Sequence, residues 1–209
     1  MAMFRKKHLA KILSSLEGFK DPKIELEQYE TPGDVAAEMI WIADMNGKIR
    51  DKVIADLGCG TGILAIGCAL LGAEKIYAVD VDGDAIEIAR RNAVRMGCND
   101  CIEFLKMDVS DFDINVDTVV MNPPFGCQSR NADRPFLNKG FEISNDIFSL
   151  HLARRDVERF LEKYSAEFGF RIHFLEKMEM ELPARFFFHR KRIERMDVNI
   201  IHFERDKRV

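Results

Sequence analysis

Lys52-Val53-Ile54-Ala55-Asp56-Leu57-Gly58-Cys59-Gly60-Thr61-Gly62 is a short apolar run that ends in an acid and breaks into three alternating glycines. A helical pattern, Ile63 to Leu71, follows and stops at Gly72. Glycines let the backbone approach a ligand closely, and the helix start behind them presents N–H groups with no partner inside the helix. The same logic continues downstream. Lys75–Val79 reads as a second strand ending at Asp80, and Asp82–Met96 as a second helix stopped by Gly97. Ile102–Met107 is a third strand ending at Asp108, and Val116–Met121 a fourth that runs into Asn122-Pro123-Pro124-Phe125-Gly126. This alternation predicts an α/β fold, a parallel sheet with helices on both faces.

Upstream, residues 5–17 suit a short basic helix with Leu9, Ile12, Leu13 and Leu16 on one face. Phe19 to Thr31 is irregular, and a helix from Pro32 to about Met45 follows with Thr31 as its N-cap. Downstream, residues 126–134 are a polar loop. A short helix at Pro135–Ile143, a strand at Asp146–Leu150 and a helix at Ala153–Phe168 come next. Arg171–Met180 and Met196–Phe203 form an antiparallel pair joined by residues 181–195, which makes seven strands.

Composition sets outer limits. The 209 residues are 47% hydrophobic and 32% charged, which excludes collagen-like, mucin-like and disordered chains. A net charge of −4 excludes a cationic coat over the whole molecule but leaves room for a local basic face. No apolar run reaches the roughly 18–20 residues that cross a bilayer. The basic start, Arg5-Lys6-Lys7, has no apolar segment behind it, so no signal peptide is expected. Cys59, Cys68, Cys98, Cys101 and Cys127 are an odd set without framework spacing, which suits reduced thiols and a cytoplasmic protein. Cys98-Asn99-Asp100-Cys101 lacks the second pair that a zinc site needs, so no metal is expected.

The acids carry the chemistry. Asp80 ends the strand that follows the glycine turn and its helix, where a carboxylate can bridge two ribose hydroxyls. Asp108 ends the third strand, where an acceptor can meet the exocyclic amine of an adenine. Gly58-x-Gly60-x-Gly62 departs from the dinucleotide spacing G-x-G-x-x-G. The turn followed by Asp80 resembles class I S-adenosylmethionine-dependent methyltransferases, whose fold is Rossmann-like. In that family the loop holds the methionine part, the second-strand acid the ribose and the third-strand acid the adenine.

Asn122-Pro123-Pro124-Phe125 fits that chemistry. An aromatic or amide NH₂ is a poor nucleophile because its lone pair is delocalised. Two acceptors that take both N–H groups can aim that lone pair. Asn122 offers a side-chain carbonyl, and the fixed φ of Pro123 and Pro124 pins the backbone carbonyl beside it. Phe125 offers a stacking face for a flat substrate. Methyl transfer from a sulfonium then needs alignment more than acid–base help. The segment resembles the N/D-P-P-Y/F/W motif of amino-methyltransferases, which act on adenine N6, cytosine N4 or glutamine amide.

Further segments narrow the resemblance. Gln28-Tyr29-Glu30-Thr31, the glycine turn, Met121 to Gly126, Ser149-Leu150-His151, Leu182-Pro183-Ala184 and Phe188-His189-Arg190-Lys191 occur in this order. From about Leu9 to Phe203 the chain resembles the archaeal and eukaryotic methyltransferase-like protein five family. The resemblance implies one domain, 1–209: a helical lid over cofactor and substrate at 1–50, and a Rossmann-like core at 51–209. That core is a mostly parallel seven-stranded sheet with a C-terminal antiparallel hairpin. It implies S-adenosylmethionine as cofactor and N6 of an adenine in small-subunit ribosomal RNA as target. It places Gln28, Tyr29 and Thr31 over the methionine end, with Asp56, Gly58, Gly60, Thr61, Asp80, Val81, Asp108 and Asn122 around the cofactor. Asn122, Pro123, Pro124 and Phe125 are the catalytic edge. It also implies a heterodimer with a small zinc-binding activator protein through the edge strand Cys101–Lys106. Glu30 stands where the family often has Pro, and Thr61 where eukaryotic members have Cys.

Charge supports an RNA target. Ala184–Val209 carries eight Lys or Arg against four acids, so the chain before it is more acidic than the total of −4. Arg185, Phe188, His189, Arg190, Lys191 and Arg192 interleave cations with rings, as contacts to a splayed single strand require. Arg5, Lys6 and Lys7 are expected to add to this surface. Two other readings stay open: a protein glutamine-amide methyltransferase, and a catalytically idle RNA- or ribosome-binding module.

Overall fold

The computed structural model describes residues 5–126, 131–183 and 193–206. The elements are α1 (Lys6–Leu13), α2 (Gly33–Met45), β1 (Val53–Leu57), α3 (Ile63–Leu70), β2 (Lys75–Asp80), α4 (Gly83–Met96) and β3 (Ile102–Lys106). Then come β4 (Thr118–Met121), α5 (Arg134–Ile143), β5 (Asp146–Leu152), α6 (Arg155–Glu167), β6 (Phe170–Pro183) and β7 (Ile193–Arg205). They build one seven-stranded sheet in the order β3-β2-β1-β4-β5-β7-β6. β1 to β5 run parallel, and β7 runs antiparallel to both β5 and β6.

The central strands β1, β4 and β5 are buried on both faces, and their side chains alternate between the two. Ile54, Ile76, Ala78, Val120 and Phe148 pack toward α1, α2, α3 and α4. Ala55, Leu57, Val79, Val119 and Ile147 pack toward α5 and α6. The register then sets the site. Leu57 lies beside Val79 on one side and Met121 on the other. The next residues to leave the sheet at its carboxyl edge, Gly58, Asp80 and Asn122, are therefore neighbours.

Several boundaries differ from the sequence expectation. α1 ends at Leu13 because the hydroxyls of Ser14 and Ser15 turn back onto the carbonyls of Ala10 and Ile12. Thr31 does not cap α2. Pro32 holds that position without a side-chain bond, and the Thr31 hydroxyl is used elsewhere. β4 starts at Thr118, since the Val116 and Asp117 amides bond to Ile143 and Val53 rather than join the ladder. The β6–β7 hairpin is longer than expected at both ends, with a register shift between Phe174 and Glu176. The apolar strand expected at the edge, β3, is an edge: among the described residues it pairs with β2 alone.

Candidate active site

The glycine turn is fastened to β2. The amides of Gly58 and Cys59 both donate to the Val79 carbonyl, at 2.8 and 2.9 Å. The Gly60 amide donates to Asp80 Oδ2 at 2.8 Å, and the Asp82 amide to Asp80 Oδ1 at 2.9 Å. Asp80 thus fixes the turn and the start of α4 with one side chain, and its carboxylate keeps acceptor capacity beyond these bonds. Burial pushes its pKa above the ordinary carboxylate value, although the Asp82 and Gly60 amides oppose the shift. Gly58 and Gly60 need their left-handed φ of 74° and 52°. They also need their bare α-carbons, because a Cβ would sit 2.9 Å from the Phe136 ring and 3.0 Å from the Phe19 ring.

Asp56 is fully buried beneath the turn. Its Oδ2 accepts the Ala65 amide of α3 at 2.9 Å. Its Oδ1 has no partner among the described residues. Burial lifts its pKa to about 7; the Ala65 amide opposes this and the Asp80 charge adds to it.

A strap formed by residues 23–31 crosses above the turn. At one end, Lys23 pairs with Asp82 at 2.5 Å, and Gln28 Nε2 donates to Asp82 Oδ2 at 2.7 Å. Burial alone would raise the Asp82 pKa, but the bonds from Lys23 and Gln28 hold it below the usual carboxylate range. Asp82 also caps α4 by accepting the Asp84 amide. At the other end, the Gly126 amide donates to Glu27 at 3.1 Å, and Asn122 Nδ2 donates to Thr31 Oγ1 at 2.8 Å. Between these anchors, the Tyr29 hydroxyl donates to the Pro123 carbonyl at 2.9 Å and lies 3.4 Å from Asn122 Oδ1. The Tyr29 ring stacks on Phe125, with centroids 4.9 Å apart and planes 27° from parallel.

Strap, turn and strand ends enclose a cavity of about 340 Å³. All eleven residues expected around the cofactor border it: Gln28, Tyr29, Thr31, Asp56, Gly58, Gly60, Thr61, Asp80, Val81, Asp108 and Asn122. Asp108 caps a turn of 3₁₀ helix by accepting the Ser110 amide. Val81 is half exposed at the rim, with Met107 and Val109 as apolar neighbours. Of the four catalytic-edge residues, Asn122 and Pro124 border the cavity. Pro123 and Phe125 meet it through Tyr29.

Sequence reasoning missed Phe19, Glu27, Asp82 and Phe136. Asp82 was readable as a helix cap, but nothing in its pattern announced the bonds to Lys23 and Gln28, which lie beyond β1 and α3 in the chain. Ser149 and His151, on the strand beside β4, do not border the cavity. They bond to each other at 2.9 Å, and burial lowers the His151 pKa to about 3.

The expected RNA contacts are only partly placed. Arg5 and Lys7 are exposed, whereas Lys6 is engaged with Glu38 at 2.6 Å. Arg185, Phe188, His189, Arg190, Lys191 and Arg192 lie outside the described residues, as does the loop segment 127–130.

Comparison with known proteins bears on the family and the fold. Residues 38–123 match the family described as ribosomal protein L11 methyltransferase (PrmA). That match covers the turn and β4 but ends inside the Asn-Pro-Pro-Phe segment. Over nearly its whole length the chain is 33% identical to the rRNA N6-adenosine-methyltransferase Mettl5 of Drosophila melanogaster, covering 98% of each. It is 33% identical to METTL5 of Danio rerio, covering 94% of this chain and 97% of that one. A crystal structure of a candidate RNA methyltransferase from Pyrococcus horikoshii superposes with a TM-score of 0.91 at 48% identity, over 97% of this chain and 98% of the other. Full-length identity of this order, on a shared fold, means that the chain belongs to the methyltransferase-like protein five (METTL5) family.

Proposed function

We propose that this protein transfers a methyl group from S-adenosylmethionine to N6 of an adenine in small-subunit ribosomal RNA. One observation carries the reading: two carbonyl acceptors, Asn122 Oδ1 and the Pro123 oxygen, converge on one donor at the mouth of the cavity. An exocyclic amine has two N–H groups to fill such a pair. Thr31 takes the Asn122 amide nitrogen and so fixes which end of that side chain faces the substrate.

The cavity suits S-adenosylmethionine. Asp56 Oδ1 is a buried acceptor without a donor among the described residues, which matches a cationic amine. Asp80 retains lone pairs for ribose hydroxyls, and Asp108 stands one strand further along for the adenine amine. When bound, S-adenosylmethionine supplies an electrophilic methyl on its sulfonium. The chain supplies alignment. Asn122 and Pro123 draw the target amine's hydrogens away and turn its lone pair toward the cavity. Phe125 holds the base plane by stacking. The product's extra proton passes to water.

Two further parts of the proposal concern partners. The basic run at residues 185–192, with Arg5 and Lys7, supplies phosphate contacts to RNA. The outer edge of β3 receives a strand from a small zinc-binding activator protein. Charged Glu103 and Lys106 are exposed along it, while Ile102 and Phe104 are buried beneath.

The experiment is transfer of labelled methyl to total RNA and, separately, to total protein, with the modified nucleosides identified by mass. Label in N6-methyladenosine of small-subunit RNA is expected. Label on protein glutamine would replace this reading.

A further inference from the structure

We propose that Tyr29 is a placeholder for the target base: it occupies the amine seat and the stacking face together, and the entering adenine must displace it. This deepens the adenine reading and rests on it. Three observations converge on the same side chain. The Tyr29 hydroxyl donates to the Pro123 carbonyl at 2.9 Å and lies 3.4 Å from Asn122 Oδ1. Those are the two acceptors assigned to the amine. The ring lies on Phe125 at 4.9 Å and 27°, where a flat base would stack. Phe125 is itself partly buried and packs against the core cluster that includes residues of α2 and α3. Tyr29 therefore presents what an adenine presents: a flat ring with a hydrogen-bond donor at its edge.

The arrangement has a physical rationale. Pro123 is buried and Asn122 partly so, and carbonyls shielded from water without donors are costly, so the acceptor pair gains from a partner whenever no base is bound. Tyr29 is that partner, and it is itself buried, at 9% exposure. Its backbone neighbours are held on both sides, Gln28 by Asp82 and Thr31 by Asn122. Displacement is therefore a swing of the side chain, with the strap left in place. The exchange also selects. A base replaces Tyr29 without loss only if it brings both a stacking surface and an N–H donor. A base with a carbonyl at that edge, such as uracil, would set oxygen against oxygen.

The test is a kinetic split across two variants. Tyr29→Phe keeps the ring and removes the hydroxyl, and Tyr29→Ala removes both. Base binding requires the vacated state, so weakening the occupant raises the competent fraction. The KM for a fragment of small-subunit ribosomal RNA should fall about fivefold in Tyr29→Phe, the effect of one lost hydrogen bond. It should fall at least as far in Tyr29→Ala. An unchanged or raised KM in both variants overturns the placeholder, because a tyrosine that holds the base or merely supports the strap predicts that direction. A second readout needs no turnover. The chain has three tyrosines, so ring-labelled tyrosine NMR resolves Tyr29 once Tyr29→Phe assigns it. Its signals should move when the RNA fragment is added to protein already saturated with S-adenosylhomocysteine, and those of Tyr77 and Tyr164 should not. Tyr29 signals that stay fixed with RNA bound also overturn it. If methyl goes only to peptide glutamine, the adenine reading fails, and the same KM ratio on the peptide decides the placeholder separately.

Discussion

Asn122 and Asp56 show how much depends on single polar atoms at this site. Asn122 Oδ1 has no substitute within the motif, so Asn122→Ala should lower kcat by about 10²–10³. Single-turnover methyl transfer measures this, and a loss below tenfold would remove the amine-aiming role. Asp56 makes a claim about pH. Its folded pKa is near 7, above the unfolded value of about 4. Its contribution to stability is thus full below pH 4 and is lost as pH rises toward 7. His151 works the other way: burial holds its pKa near 3, so stability is lost as pH falls below its unfolded value of about 6.5. The two oppose each other across one window. In Asp56→Asn only the histidine remains, and Tm should climb more steeply between pH 4 and 7 than in the parent chain. Calorimetry at several pH values decides, and parallel curves would contradict it. Asp56 was legible in the sequence as the acid ending a strand. That one of its oxygens lacks a donor among the described residues was not, because this depends on which amides α3 places above it.

At the scale of elements, the alternation of strands and helices was readable because each junction carries a glycine or an acid. The strap was not. Residues 19–31 have no periodicity, and their order comes from bonds to distant partners: Asp82, Asn122 and Gly126. Composition cannot announce such partners. Asp82 joins two elements, the strap and α4. Asp82→Ala removes a helix cap and leaves Lys23 without its buried partner, so a loss of about 1–2 kcal/mol is expected. Hydrogen exchange should quicken at residues 23–31 more than in β1. Uniform exchange across both would mean that the strap is not held there. The hairpin ends were underestimated for a related reason: β6 and β7 extend by pairing with each other, whereas pattern reading tracks only the face packed on the core.

For the whole molecule, charge is divided against function. The chain is acidic overall, yet the stretch from Ala184 to Val209 is basic. If that run holds RNA, changing Arg190, Lys191 and Arg192 together to glutamine should reduce the salt dependence of RNA binding by up to about three units of log–log slope. An unchanged slope would return those residues to ordinary surface. The strap has a second consequence at this scale. It is bonded at one end beside the glycine turn and at the other to the Asn-Pro-Pro-Phe edge, so one segment roofs two adjoining seats. Anything that orders it on behalf of one occupant changes the terms for the other. Linkage makes that influence reciprocal. The factor by which S-adenosylhomocysteine alters RNA affinity must equal the factor by which RNA alters S-adenosylhomocysteine affinity. Calorimetric titrations in both orders should return one shared cooperativity, different from unity, and Asp82→Ala should pull it toward independence.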